Sequence, residues 1–124
     1  MPAKKILVVD DEPEVRQLME QFLTDKGFDV RVAENGRQGL AALDSFTPDV
    51  VLLDMHMPEL DGIETLKQLA GRSPAPPVIM VTVNDDVETT SRLLQLGAAD
   101  YVPKPFNLDY LEQAINIQLS ATRD

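Results

Sequence analysis

Three short apolar runs constrain the fold of this 124-residue chain more than any other feature of its sequence. Residues 6–9, 50–53 and 78–83 are continuous apolar runs rich in β-branched side chains, and they do not alternate with polar residues. This pattern is typical of strands in a parallel sheet that is covered on both faces. Two weaker runs, residues 28–33 and 101–102, are predicted to form the edge strands.

Amphipathic segments lie between these runs. The first begins at Pro13, stops at Gly27 and carries apolar residues at helical spacing, namely Val15, Leu18, Met19, Phe22 and Leu23. Four further helices are predicted at residues 38–46, 63–70, 87–96 and 108–119. With right-handed crossovers, five strand–helix units make a doubly wound α/β sandwich of three layers around a five-stranded parallel sheet. We expect one domain over residues 1–124, with a core of about residues 4–120 and a tail or linker start at 121–124.

Charge and composition exclude several classes of function. The chain has 11 basic and 21 acidic residues, a net charge of −10, which argues against direct binding to nucleic acid or anionic membranes. It has no Cys and one His, so disulfides, thiolate metal sites and His-cluster zinc sites are ruled out. Because the sequence shows neither a long apolar span nor a signal peptide, we expect a cytoplasmic location.

Charged and hydroxyl side chains follow the predicted strands where each one ends. In doubly wound sheets the ligand site lies beyond the carboxyl ends of the strands. Each residue alone is an ordinary turn or helix-start residue, but three carboxylates, a hydroxyl and an ammonium group together reach one edge of the sheet: Asp10, Asp11, Asp54, Thr82 and Lys104. Crowded carboxylates favour a divalent cation such as Mg²⁺. The hydroxyl and the ammonium group are suited to the oxygens of a phosphoryl group.

The motifs at these positions resemble those of one known family. They are ILVVDDE at 6–12, PDVVLLD at 48–54, Met57-Pro58 with Asp61-Gly62, Val81-Thr82, and GAADYVPKPF at 97–106. In combination they resemble the receiver domain of two-component response regulators, from Lys5 to about Leu119. The resemblance implies the flavodoxin-like strand order 2-1-3-4-5.

The resemblance also implies roles for individual residues. Asp54 would accept a phosphoryl group from the phosphohistidine of a sensor histidine kinase or a phosphotransfer protein. Mg²⁺, or Mn²⁺ in its place, would be held by Asp11 directly, Asp10 through water, Asp54, and the backbone carbonyl of His56. Thr82 and Lys104 would hold the phosphoryl oxygens, with the Lys104–Pro105 peptide bond cis.

The implied response to phosphorylation is a conformational switch. Thr82 would move toward the phosphoryl group and Tyr101 would rotate inward. The face formed by the fourth helix, fifth strand and fifth helix would then engage an output domain or a downstream protein. Such a domain would be a monomer or a phosphorylation-dependent dimer. It would dephosphorylate itself but would not be a turnover enzyme.

Two departures from common receiver sequences, and one surface pattern, lead to further expectations. Val83 follows Thr82 where the family usually has a small residue, and its methyl groups would slow hydrolysis unless they turn into the core or a neighbouring helix. His56 is expected to be a loop residue at the mouth of the site rather than a relay. On the last helix a second apolar set predicts an interface on the far side from the core: Tyr110, Ala114, Ile117 and Ala121.

Three other functions compete with this interpretation. One is a phosphorylation-independent pseudo-receiver that acts as a binding module, which the full set of site residues disfavours. Another is a flavodoxin-like flavin protein, which would need a hydroxyl-rich loop where this chain has the acidic residues 10–12. The third is a metal-dependent phosphohydrolase with an aspartyl nucleophile, which would need a cap or an aqueous substrate pocket for which the sequence has no spare residues.

Overall fold

The computed structural model describes residues 3–55, 62–83 and 86–121, and these form five strand–helix units. The strands are β1 (Lys5–Val9), β2 (Asp29–Ala33), β3 (Val50–Asp54), β4 (Val78–Thr82) and β5 (Asp100–Pro103). The helices are α1 (Pro13–Asp25), α2 (Gly36–Ala42), α3 (Gly62–Ala70), α4 (Val87–Gln95) and α5 (Leu108–Ala121). The predicted alternation of strands and helices is therefore confirmed.

All four pairs of neighbouring strands are parallel, and the sheet has the order β2-β1-β3-β4-β5. The expected doubly wound order 2-1-3-4-5 is confirmed, and β2 and β5 are the edge strands. Every residue of β3 and β4 is buried, as their continuous apolar sequences predict. The carboxyl ends of these two strands are in register, with Asp54 opposite Val81.

Two apolar cores lie on the two faces of the sheet. Successive side chains of a strand point to opposite faces, so Leu52 packs with α1 and α5 whereas Leu53 packs with α2, α3 and α4. Both leucines are fully buried, and each burial contributes about 1.5–3 kcal/mol to folding. The sheet is thus clamped between two helical layers, which fixes the strand ends where the site lies.

Most element boundaries differ from the sequence prediction by one or two residues, the largest difference lies at α2, and the difference at the end of β4 concerns Val83. Helix α2 starts two residues earlier than predicted, because Asn35 caps it by accepting a hydrogen bond from the Gln38 amide (2.9 Å). It ends at Ala42, and a turn leads to the buried Phe46, which the apolar pattern predicts inside the helix. Strand β4 ends at Thr82, so Val83 lies outside it.

The predicted far-side apolar set on α5 is wrong at Ala114, and the side chain of Ala121 lies outside the part of the chain that the structure describes. Ala114 is buried in the core beside Leu111 and Ile115, because it lies on the flank of the helix that faces the sheet. Tyr110 and Ile117 are exposed, as predicted. Among the residues that the structure describes, no helix combines the length and the apolar character needed to span a bilayer.

Candidate functional site

The strand ends bring the predicted site residues to one edge of the sheet. Asp10 directly follows β1, and its amide donates a hydrogen bond to the carbonyl of Ala33 (3.1 Å). Asp54 and Thr82 are the last residues of β3 and β4. Lys104 directly follows β5, and its amide donates to the carbonyl of Thr82 (2.7 Å). The parallel topology, rather than proximity in sequence, therefore assembles the site.

Four carboxylates form an acidic cluster at this edge. Asp10, Asp11, Glu12 and Asp54 each offer an oxygen within 4.8 Å of the others. Asp10 and Asp54 are buried, with 1% and 4% of their surface exposed. Buried like charges at this spacing favour either a proton or a bound cation.

Lys104 places its ammonium group among these carboxylates. Its Nζ lies 2.9 Å from Glu12 Oε1, 3.1 Å from Asp10 Oδ2 and 3.5 Å from Asp54 Oδ1. Burial alone would lower the pKa of Lys104, but the hydrogen bond to Glu12 and the charges of Asp10 and Asp54 outweigh it and raise the pKa. Lys104 is therefore fixed in its charged form inside the cluster.

At Asp10, in contrast to Lys104, the effect of burial on the pKa outweighs the effects of the neighbouring groups. Burial raises the pKa of its carboxyl group, although the Glu12 amide and the charge of Lys104 act to lower that pKa. The Glu12 amide donates to Asp10 Oδ1 (2.9 Å). The charged form of Asp10 is thus incompletely compensated when no cation is bound.

Glu12 takes part in the site in a way that the sequence did not predict. The motif places it next to the aspartates but gives it no role of its own. It occupies the N-cap position of α1 without making a side-chain cap, and its carboxylate contacts Lys104 instead. The one signal in the sequence that could have indicated this role is the position of Glu12 directly after the two aspartates.

Thr82 is fully buried, and its hydroxyl lies 3.2 Å from the sulfur of Met55. Tyr101 is half-buried and packs against the core cluster that contains Met80. Thr82 lies two residues beyond Met80 in β4 and therefore on the same face of the sheet, so the two predicted switch residues share one face. Val83 is 58% exposed, which shows that its methyl groups do not turn into the core. Sequence reasoning missed Met55, since an apolar residue after Asp54 carries no polar signal.

Helix α3 approaches the end of β3 very closely. The Gly62 amide donates to the Met55 carbonyl (3.1 Å), and a Cβ at Gly62 would lie 2.6 Å from the Cα of Met55. Glycine is required here by the close approach of two backbones. This contact fixes the backbone immediately after Asp54.

The acidic cluster suits a hard divalent cation. Carboxylate oxygens are the ligands that Mg²⁺ prefers, and Lys104 alone does not balance four carboxylates. Asp10, Asp11 and Asp54 all belong to the cluster, as predicted. His56, the other predicted ligand, lies outside the described residues. The Lys104–Pro105 peptide bond is cis, which confirms that expectation.

Comparison with known proteins decides the family. The family model described as the response regulator receiver domain matches residues 6–116. The chain belongs to this family. Receiver domains take part in two-component signalling, where they interact with histidine kinases and output domains, and they generally bind Mg²⁺ at an acidic pocket.

Individual relatives agree with this assignment. The receiver domain is 42% identical over 118 residues to the regulatory protein AtoC of Escherichia coli, which covers 92% of this chain and 26% of AtoC. It is 44% identical over 104 residues to the DNA-binding transcriptional regulator NtrC of Salmonella typhimurium, which covers 84% of this chain and 22% of NtrC. The chain thus spans about a quarter of the length of these relatives.

A solved structure shows the same fold. The receiver domain of the Francisella response regulator 1452 superposes with a TM-score of 0.91 and 34% sequence identity. The match covers 97% of this chain and 99% of that one. The likeness therefore extends over the whole sandwich rather than over the site alone.

Proposed function

We propose that this receiver domain is a phosphoacceptor in which Asp54 takes a phosphoryl group from a phosphohistidine on a sensor histidine kinase or a phosphotransfer protein. The observation that carries the proposal is the position of Asp54. Its carboxylate is buried at a strand end, inside an acidic cluster and 3.5 Å from the Lys104 ammonium group. A lone turn aspartate would have no reason to be held in this way.

The transfer makes one bond and breaks one bond. An oxygen of Asp54 attacks the phosphorus in line, and the P–N bond to the donor imidazole breaks with its electron pair going to the imidazole nitrogen. The reaction needs positioning and charge compensation more than acid–base catalysis. Hydrolysis of the resulting acyl phosphate by water returns the carboxylate and inorganic phosphate, so the domain resets itself and is not a turnover enzyme.

The residues around Asp54 divide the remaining tasks. The Lys104 ammonium group compensates the charge on the phosphoryl oxygens. Asp10 and Asp11, with Asp54, would hold Mg²⁺, and a bound Mg²⁺ supplies further positive charge to those oxygens. The Thr82 hydroxyl would donate a hydrogen bond to the phosphoryl group.

The switch would pass from Thr82 and Tyr101 to the face formed by α4, β5 and α5. Exposed apolar side chains support a partner surface there, since Val87 is 81% and Tyr110 is 47% exposed. The partner would be an output domain or a downstream protein. The domain itself would be a monomer or a phosphorylation-dependent dimer.

Phosphorylation by a small donor tests the proposal. With Mg²⁺ and acetyl phosphate, the intact mass should rise by one phosphoryl group, and hydroxylamine should remove it because it is an acyl phosphate. Asp54→Asn should abolish the modification, whereas Asp44→Asn, a change at an acid outside the cluster, should not. Modification that persists in Asp54→Asn would refute the assignment. No modification of the parent would favour the pseudo-receiver alternative.

A further inference from the structure

We propose that Met55 is a positioning residue that holds the Thr82 hydroxyl away from the phosphoryl site until Asp54 is phosphorylated. The inference rests on the proposed function, because it concerns the hydroxyl that would bind the phosphoryl group. Its basis is the 3.2 Å distance between Thr82 Oγ1 and Met55 Sδ. The residue acts through Thr82 and does not itself touch the reacting atoms.

The backbone of Met55 is anchored from two sides. Its amide donates to the carbonyl of Val81 (3.0 Å), which extends the β3–β4 ladder by one position and places Met55 beside Thr82. Its carbonyl accepts from the Gly62 amide (3.1 Å) at the start of α3. The side chain also packs against the core cluster that contains Leu53. The fold therefore places the Met55 side chain beside Thr82.

Met55 and a phosphoryl group on Asp54 would compete for the proton of the Thr82 hydroxyl. A hydroxyl has one proton to donate, and a thioether sulfur can only accept. A phosphoryl oxygen is also an acceptor. Since Thr82 is fully buried, water cannot readily replace either partner. The contact with Met55 must therefore break when the hydroxyl turns to a phosphoryl group on Asp54.

A weak acceptor is suited to this role. A neutral hydrogen bond contributes about 0.5–1.5 kcal/mol, and sulfur accepts more weakly than oxygen. Such a contact biases the unphosphorylated orientation of Thr82 without preventing the switch. Simple packing by a flexible methionine is the alternative. It predicts no dependence on the Thr82 hydroxyl.

A double-mutant cycle separates hydrogen bonding from simple packing. Beryllofluoride, which mimics a phosphoryl group on Asp54, would be titrated with Mg²⁺ into the parent, Met55→Leu, Thr82→Val and the double variant, with binding followed by NMR. Leucine keeps the apolar volume but removes the acceptor, and valine keeps the shape of threonine without its hydroxyl. Met19→Leu, a buried methionine in the opposite core cluster, is the matched control.

We expect Met55→Leu to bind beryllofluoride about threefold more tightly than the parent, the effect of losing one weak hydrogen bond from the unbound state. The same change should have no effect when residue 82 is valine, and Met19→Leu should match the parent. If Met55→Leu proves unfolded by circular dichroism, Met55→Ile tests the same cycle.

Two outcomes would overturn the inference while the proposed function stands. One is an equal effect of Met55→Leu in the Thr82 and Val backgrounds, and the other is unchanged or weaker binding. A parent that does not bind beryllofluoride, or an Asp54→Asn variant that binds it equally well, would instead refute the proposed function, and the inference would fail with it.

Discussion

Magnesium should stabilise the folded domain through the acidic cluster, and Asp11→Asn should remove most of that effect. Lys104 contacts Asp10, Glu12 and Asp54, while Asp11 completes the cluster of four carboxylates. A cation that binds the folded chain only, at about 100 times its dissociation constant, adds about 2.7 kcal/mol to the free energy of unfolding. For 124 residues the entropy of unfolding is about 260 cal/mol/K, so the melting temperature should rise by about 10 °C.

Without the metal, Asp11→Asn should not lower the stability of the domain and should even raise it. Asp11→Asn removes one of several repelling charges, so in EDTA the variant should be at least as stable as the parent. Thermal unfolding followed by circular dichroism, with EDTA and with increasing Mg²⁺ at constant ionic strength, measures both effects. Asp44→Asn is the control and should keep the full response to Mg²⁺. The reasoning is wrong if Asp11→Asn responds to Mg²⁺ like the parent, or if it is clearly less stable in EDTA.

Two further predictions concern Asp10 and Val83. Because burial raises the pKa of Asp10, the folded metal-free protein should lose stability as the pH rises from the ordinary value of 3.8 through the raised value. The quantity to measure in EDTA is the melting temperature of Asp10→Asn minus that of the parent. This difference should be more positive at pH 7 than at pH 4, and an equal difference at both pH values would contradict the prediction. Val83 is exposed, and we expect its methyl groups to hinder the approach of water to the phosphorus. Val83→Ala should therefore speed decay of the phosphorylated form about tenfold, or about 1.4 kcal/mol in barrier height. The test is to measure the decay rates of the phosphorylated parent and the phosphorylated Val83→Ala variant at equal Mg²⁺. Unchanged or slower decay in the variant would exclude a gating role.

The central strands were the most predictable part of the fold. Strands β3 and β4 are buried on both faces, so their positions favour apolar residues throughout, and a short continuous apolar run rich in β-branched residues is typical of such a strand. Gly27 and Gly97 were also identified correctly as helix stops, and both have positive φ (95° and 115°). The strand order was different in kind, because it came from the family motifs and not from periodicity.

Helix faces and boundaries were less predictable, because they depend on local competition between contacts. The Asn35 cap moves the start of α2, since a single side-chain hydrogen bond outweighs the apolar pattern that suggested a later start. Helical spacing predicts Ala114 on the exposed side of α5, but the residue is buried. The prediction fails because spacing alone does not locate the edge of a buried stripe. The small side chain of Ala114 fits between the helix and the sheet.

The site could be located from sequence because a topological rule gathers strand ends at one edge, whatever their separation along the chain. That rule placed Asp10, Asp54, Thr82 and Lys104 together. It could not predict which partners the side chains choose. The contacts of Glu12 with Lys104 and of Met55 with Thr82 depend on side-chain rotamers, which leave no pattern in the sequence.

These two contacts would allow the site to respond to the proposed phosphorylation of Asp54 without disturbing the core. Glu12 is largely exposed, so its ion pair with Lys104 is screened by water and contributes little to stability. The contact between Thr82 and Met55 uses a weak sulfur acceptor. A phosphoryl group on Asp54 would offer both Lys104 and Thr82 stronger, charged acceptors. The strands that carry these residues are held by fully buried apolar side chains, so the proposed switch would require only local rearrangement at the strand ends.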